Sequence, residues 1–170
     1  MNSKLIVYFS HKGENYSKGK IVNLTKGNTE KAAEIISKIS GAKLFEIKAE
    51  KDYPNKYDDC IEVAKKELKE NSRPKLVNDI DITEYDTIFI AFPNWWGTMP
   101  MPVFTFLEGK DFSNKTIFPL CTHEGSGLGR SEVDIKRFVN GANVLKGLAI
   151  VGSEVDTAEK AISEWINKNI

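Results

Sequence analysis

The stretch "KLIVYFSHKGENYSKGKIVNLTKGNTEKAAEIISKIS", Lys4 to Ser40, decides the fold. Leu5 to Phe9 is a continuous β-prone run without polar alternation. Such a run predicts a strand buried on both faces, as in parallel sheets. From Thr29 the apolar residues Ala32, Ala33, Ile35, Ile36 and Ile39 fall on one helical face, and Gly41 stops the helix. A strand leading to a helix is the start of a β-α unit, but here the helix waits until after Gly27. Between them "ENYSKGKIVNL" has β-prone residues on either side of the turn pair Lys18-Gly19. It predicts a hairpin, spanning 13–26, inserted in the first βα loop, with strands near Asn15–Ser17 and Lys20–Leu24.

Working outward, the same alternation recurs. Strands are predicted at Lys43–Ile47, Thr87–Phe92, Thr116–Cys121 and Val144–Val151. Helices are predicted at Tyr57–Asn71, Met101–Leu107, Ser131–Val139 and Thr157–Asn169. Five β-α units imply a parallel sheet covered on both faces, a three-layer α/β/α sandwich. The leading topology is a five-stranded sheet of order 2-1-3-4-5. The 170 residues read as a single domain. Pro119, inside "TIFPLCT", deletes a ladder hydrogen bond, so the fourth strand is expected to bulge or end early there.

Composition limits the function. Lysine plus arginine and aspartate plus glutamate are 24 each, so no global field recruits nucleic acid or membrane. Locally, Met1–Lys31 carries six lysines and two glutamates, and Asp81–Asn114 carries five acids and one lysine. Cys60 and Cys121 are the only cysteines, which makes neither a disulfide framework nor a metal-ligand set. With no apolar run long enough for a membrane span, a cytoplasmic location is expected.

In such a sheet, ligands collect beyond the carboxyl ends of the strands. Three loops leave strands 1, 3 and 4 there. The first brings Ser10, Lys12 and, at the head of the first helix, Gly27, Asn28 and Thr29. Free N–H groups and the helix dipole favour a phosphate at that point; a plain helix cap is the competing reading. The rival placement of the phosphate turn at "SHKGEN" fails, because the next residues, "YSKGKIVN", contain Gly19 and have no helical face. Gly27 is expected to permit close backbone approach and a positive φ. The second loop brings Pro93, Asn94, Trp95, Trp96 and Gly97. Adjacent indoles diverge, so at least one is free to cover a flat aromatic ligand; a hydrophobic plug is the competing reading. The third brings Thr122, His123, Glu124, Gly125, Ser126 and Gly127, a backbone able to bond the edge of a planar heterocycle. His123 is the candidate for proton exchange near neutral pH.

Together the three loops resemble those of the flavodoxin-like family, in particular its short-chain flavodoxins and flavin reductases. Ser10 with Gly27-Asn28-Thr29 resembles a split phosphate loop; "FPNWWGTMPMPVFTFLE" and "FPLCTHEGSGLG" resemble the second and third flavin loops. The resemblance implies non-covalent FMN, its phosphate on Ser10, Asn28 and Thr29 and its ring between the other two loops. Lys26 or Lys12 stands where the family's threonine would be, able to pair with the phosphate. Three functions are open: an NAD(P)H-linked reductase of quinones or similar small acceptors; a one-electron carrier between protein partners, served by the acids around Asp81, Glu84, Asp86, Glu108 and Asp111; or a non-redox binding module. The donor is NAD(P)H or a protein, the acceptor a small molecule or a protein, and the chain a monomer or homodimer.

Overall fold

The computed structural model describes residues 3–170. In chain order, β1 (Lys4–Tyr8) leads into β2 (Gly13–Ser17) and β3 (Lys20–Leu24). Then come α1 (Asn28–Ser40), β4 (Lys43–Glu46), α2 (Tyr57–Glu70), β5 (Thr87–Pro93), α3 (Met101–Leu107) and β6 (Thr116–His123). The chain continues through α4 (Ser131–Phe138), β7 (Asn143–Val144), β8 (Leu148–Val151), a 3-10 turn (Gly152–Thr157) and α5 (Glu159–Lys168). The sheet runs β4-β1-β5-β6, with β7 and β8 both on the outer side of β6, and every pairing is parallel. Taking β7 and β8 as one interrupted strand, this is the order 2-1-3-4-5.

The apolar runs work as two-sided strands. Leu5, Val7 and Phe9 enter one core with Ile88, Ile90 and Phe92, against α3 and α4. Ile6 and Tyr8 enter the other with Phe89 and Ala91, against Ala32, Ala33 and Ile36 of α1 and Ile162, Trp165 and Ile166 of α5. A strand sandwiched in this way has no polar face, which is why alternation is missing from its sequence.

The uninterrupted fifth strand expected over Val144–Val151 is not what forms. β6 takes three steps from Ile117 to Leu120 while the edge takes four from Val144 to Leu148. The cause is Pro119. The Ile117 carbonyl accepts from the Leu145 N–H, so the proline, two residues on, turns its missing N–H to the same edge. The extra residue bulges there, and side chains take up the freed backbone groups. Glu132 accepts the Gly147 N–H at 2.8 Å, and the Trp165 indole donates to the Lys146 carbonyl at 2.9 Å.

The hairpin forms a separate two-stranded ribbon, β2 against β3. Lys18 and Gly19 at its turn have φ of 49° and 84°. Two left-handed residues give the turn whose twist matches a hairpin. The ribbon docks on the start of α2: the Glu14 N–H donates to the Asn55 carbonyl, and the Glu14 carboxylate accepts the Tyr57 N–H at 2.7 Å. Glu14 thus caps α2, which lacks a cap from its own Lys56. Joining Lys12 to Lys26 by a short linker is expected to leave a soluble protein with unchanged helix content, less stable by about 1 kcal/mol for the lost cap. Circular dichroism and urea unfolding check this; an insoluble product would put the hairpin in the core.

Candidate functional site

A cleft of about 400 Å³ opens where β1, β5 and β6 end. Its floor comes from the strand-end loops, one wall from α2 and the hairpin, and one end from the head of α1.

At the α1 end, Gly27 has φ −65° and is extended, so the expected positive φ is not what selects it. Space does. A Cβ there would lie 2.1 Å from Ser10 Oγ and 2.8 Å from the His11 carbonyl oxygen. The close approach lets Ser10 Oγ accept the Glu30 N–H at 3.0 Å, while Lys31 N–H donates to the Gly27 carbonyl. Of the N–H groups a helix start leaves open, those of Asn28 and Thr29 are among the ones that remain, and both residues line the cleft. Thr29 is buried, and its hydroxyl shares a 2.7 Å hydrogen bond with that of Thr122. This bond ties α1 to the end of β6.

Several expected ligand contacts have other partners. Ser10 is the α1 cap and does not line the cleft; Lys12 is exposed and lies off it. Lys26, the other candidate phosphate partner, pairs with Glu34 at 2.6 Å. The Gly125 N–H donates to His123 Nδ1 at 2.9 Å, and the Gly127 carbonyl accepts from the Asn94 amide at 2.9 Å. Neither glycine lines the cleft; their backbones shape the third loop. Glu124, which does line it, accepts the Ser153 N–H and hydroxyl at 2.7 and 3.2 Å and so fastens the 3-10 turn.

Asn94 joins the second and third loops. Besides bonding Gly127, it accepts the Gly97 N–H at 2.9 Å. Trp95 and Thr98 close a tight turn, each N–H bonding the other's carbonyl. Between them Trp96 and Gly97 have φ of 56° and 87°. A left-handed tryptophan is costly, on the order of 1–2 kcal/mol, and such strain marks positions held for a purpose. Its indole N–H donates to the Ile61 carbonyl of α2 at 3.0 Å, yet the side chain is 48% exposed. Trp95 diverges from it, as adjacent residues must. Its ring stands edge-on to Phe9, Tyr53 and His11, with centroids 5.1, 5.0 and 6.0 Å away. Both rings border the cleft, Trp95 as packed wall and Trp96 as the more exposed ring, with the Lys65 ammonium over one face, 5.3 Å from its centroid. Pro93, Asn94, Gly97, Thr122 and Ser126 complete the expected residues on its lining.

Two histidines face this space. His123 Nδ1 accepts an N–H, so its proton sits on Nε2, which is left as a donor. His11 was not among the expected ligand residues. Its Nε2 donates to the Pro54 carbonyl at 3.0 Å, and burial lowers its pKa against the opposing effect of that hydrogen bond. Also unforeseen is the α2 wall: Tyr57, Cys60, Ile61 and Ala64 lie three and four apart and face the cleft. Burial pushes the Cys60 thiol up to about 12, so it packs as a small apolar group. The apolar stripe of α2, Cys60, Ile61 and Ala64 with Tyr57 at its head, was the signal in the sequence. Among the described residues no lysine or arginine is on the cleft lining, and no cluster could hold a metal ion. No helix among them is long and apolar enough to cross a membrane.

Comparison with known proteins agrees with this geometry. The chain superimposes on a protein of Bacteroides uniformis assigned as a flavoprotein, with a TM-score of 0.76, 27% identity and 98% of each chain covered. It is similar to a flavoprotein of Lactobacillus acidophilus crystallised in complex with FMN, with a TM-score of 0.64, 25% identity, and 92% of this chain and 98% of that one covered. Flavodoxin 2 of Bacillus cereus shares the fold at 18% identity and a TM-score of 0.55, over 98% of this chain and 99% of its own. Among curated proteins no sequence match is found. The flavodoxin family model matches residues 19–169, most of the chain from the hairpin turn to the end of α5, and this protein belongs to the flavodoxin family.

Proposed function

We propose that this protein binds FMN in the cleft and works as an NAD(P)H-linked reductase of quinones or similar small acceptors. The observation that carries the cofactor assignment is the placing of two features in one cleft: unpartnered N–H groups at the head of α1 and a half-exposed indole held in a strained turn. The residues fit the group. The Asn28 and Thr29 N–H groups, with the α1 dipole, suit one terminal phosphate. The gap that a Cβ on Gly27 would fill keeps that helix end against the Ser10–His11 backbone. Trp96 suits a flat ring. The flavoprotein of Lactobacillus acidophilus, crystallised with FMN, supports the same reading. Bound FMN supplies the one- or two-electron chemistry. The chain's own part is to hold it, to exclude water with Trp95 and the α2 wall, and to offer a proton donor at His123 Nε2.

A small acceptor is favoured over a protein partner by where the acids lie. Asp86 immediately precedes β5, and Asp111 precedes β6, so both stand at the amino ends of the strands, opposite the cleft. Glu108 pairs with Arg73, and Asp81 bonds Thr83. This acidic patch is in the wrong place to steer a basic protein toward the cofactor.

The flavin released by boiling is expected to chromatograph as FMN; recovery of FAD would sink the assignment. Steady-state NAD(P)H oxidation by the purified protein is expected to depend on an added quinone. A protein that instead passes electrons only to a second protein would be a carrier.

A further inference from the structure

The hairpin carries a feature outside the FMN contacts assigned above. Tyr16, on β2, is 43% exposed, yet borders the cleft. Its ring lies 6.3 Å from that of Tyr57, tilted by 33°. Tyr57 and Ile61 are one helical turn apart on α2, and the Ile61 carbonyl holds the Trp96 indole at 3.0 Å. One stripe of α2 therefore carries half-buried Tyr57, with exposed Tyr16 beside it, at its amino end and holds the exposed Trp96 indole a turn further on. The backbone around Tyr16 is tied down by hydrogen bonds. Glu14 holds the α2 amino end, and the Asn15 amide donates to the His11 and Gly13 carbonyls at 3.0 and 3.2 Å. The aromatic faces left in water at Tyr16 and Trp96 cost the fold hydrophobic burial, and the surface they make with Tyr57 suits a flat ring.

The electrostatics narrow the occupant. The only carboxylates on the lining, Glu14 and Glu124, already accept hydrogen bonds from backbone N–H groups. Among the described residues no lysine or arginine lies on the lining; Lys65 stands over the Trp96 ring, 5.3 Å from its centroid, away from the tyrosine pair, and an uncharged ring brings no charge to desolvate there.

Resting on the FMN-reductase reading, we propose that the Tyr16–Tyr57 pair is the platform for the electron acceptor, and that this acceptor is a flat, uncharged quinone-type ring. Tyr16 is then a specificity-determining residue supplied by the hairpin.

The test uses the flavin-loaded, oxidised full chain and 2-methyl-1,4-naphthoquinone as probe, with binding measured by equilibrium dialysis. Tyr16→Ala is expected to weaken quinone binding about three- to tenfold, the size of one aromatic contact, and Tyr16→Phe to restore it. In steady state the change should appear in the KM for quinone more than in kcat, with the KM for NAD(P)H unmoved. Tyr57→Leu, changed at the other ring, should weaken the quinone similarly. FMN affinity, titrated separately by flavin fluorescence, is expected to stay within about twofold in Tyr16→Ala. Unaltered quinone binding in both Tyr16→Ala and Tyr57→Leu overturns the platform. So does a collapse of FMN affinity in Tyr16→Ala, which would make Tyr16 a flavin contact. If the wild-type chain itself takes up no FMN, the reductase reading fails first, and the platform with it.

Discussion

Replacing Gly27 by alanine is expected to lower FMN affinity at least about a hundredfold and to destabilise the apoprotein by about 2 kcal/mol. The added Cβ would meet Ser10 Oγ at 2.1 Å and the His11 carbonyl oxygen and carbon at 2.8 and 3.0 Å. Ser10 can rotate away, but only by releasing the Glu30 N–H that it caps, and the His11 backbone can move only if the end of β1 moves with it. Overpacking of this kind costs about 1–3 kcal/mol, and a lost cap about 1. The larger effect falls on the ligand. Displacing the head of α1 misaligns the Asn28 and Thr29 N–H groups, each worth about 1.5–3 kcal/mol toward a charged phosphate, so that losing both corresponds to at least about a hundredfold in affinity. Urea unfolding of the apoprotein and a flavin-fluorescence titration measure the two effects separately. Equal flavin affinity in Gly27→Ala and wild type would move the phosphate away from α1. Asn28→Ala and Thr29→Ala divide the site further. Both variants keep the backbone N–H groups, so flavin affinity should fall far less than in Gly27→Ala; Thr29 is bonded to Thr122 beneath the cleft, so Thr29→Ala should lose stability where Asn28→Ala does not.

The fold was legible because its strands are sandwiched. Two apolar faces leave a continuous run such as Leu5–Phe9, and the α1 stripe is unambiguous. The hairpin was legible from Lys18-Gly19, since a two-residue turn with a glycine leaves few alternatives. The bulge opposite Pro119 was only half legible. A missing N–H can be read from a sequence, but not which neighbour it faces, so the strain was expected in β6 and is found on its edge partner. The site divides in the same way. Residues that line the cleft through loop position, such as Asn28, Trp95 and Trp96, are legible from being at strand ends. Residues that reach it by tertiary docking are not. His11 stands beside the expected Ser10, and Tyr16 inside the expected hairpin, yet what turns them toward the cleft is the seating of the ribbon on Asn55 and Tyr57. The glycines of the third loop misled for the opposite reason. Their backbone groups looked available, and in the fold they are taken up by His123 and Asn94.

Trp96→Ala is expected to weaken oxidised FMN about tenfold and to raise the two-electron midpoint potential by about 30 mV. Stacking on an indole is worth about 0.5–1.5 kcal/mol beyond burial. It favours the planar oxidised ring over the electron-rich reduced one, so its loss penalises the oxidised form more. A tenfold difference between the two forms is about 1.4 kcal/mol, or about 30 mV for two electrons. Trp95→Ala should behave otherwise. Its ring is braced by Phe9, Tyr53 and His11, so truncation leaves a gap in the aromatic cluster and should appear first as lost apoprotein stability, about 2–3 kcal/mol. The backbone supplies a further discriminator. At φ 56° an alanine still suffers the left-handed strain, while a glycine does not. Trp96→Gly should therefore fold more stably than Trp96→Ala by about 1 kcal/mol while binding FMN no better. That pattern, stability recovered without affinity, would mean that the strain at Trp96 is maintained for the ring it presents. If affinity and potential are unchanged in both variants, Trp96 is a hydrophobic cover on α2, and its stacking on the flavin is ruled out.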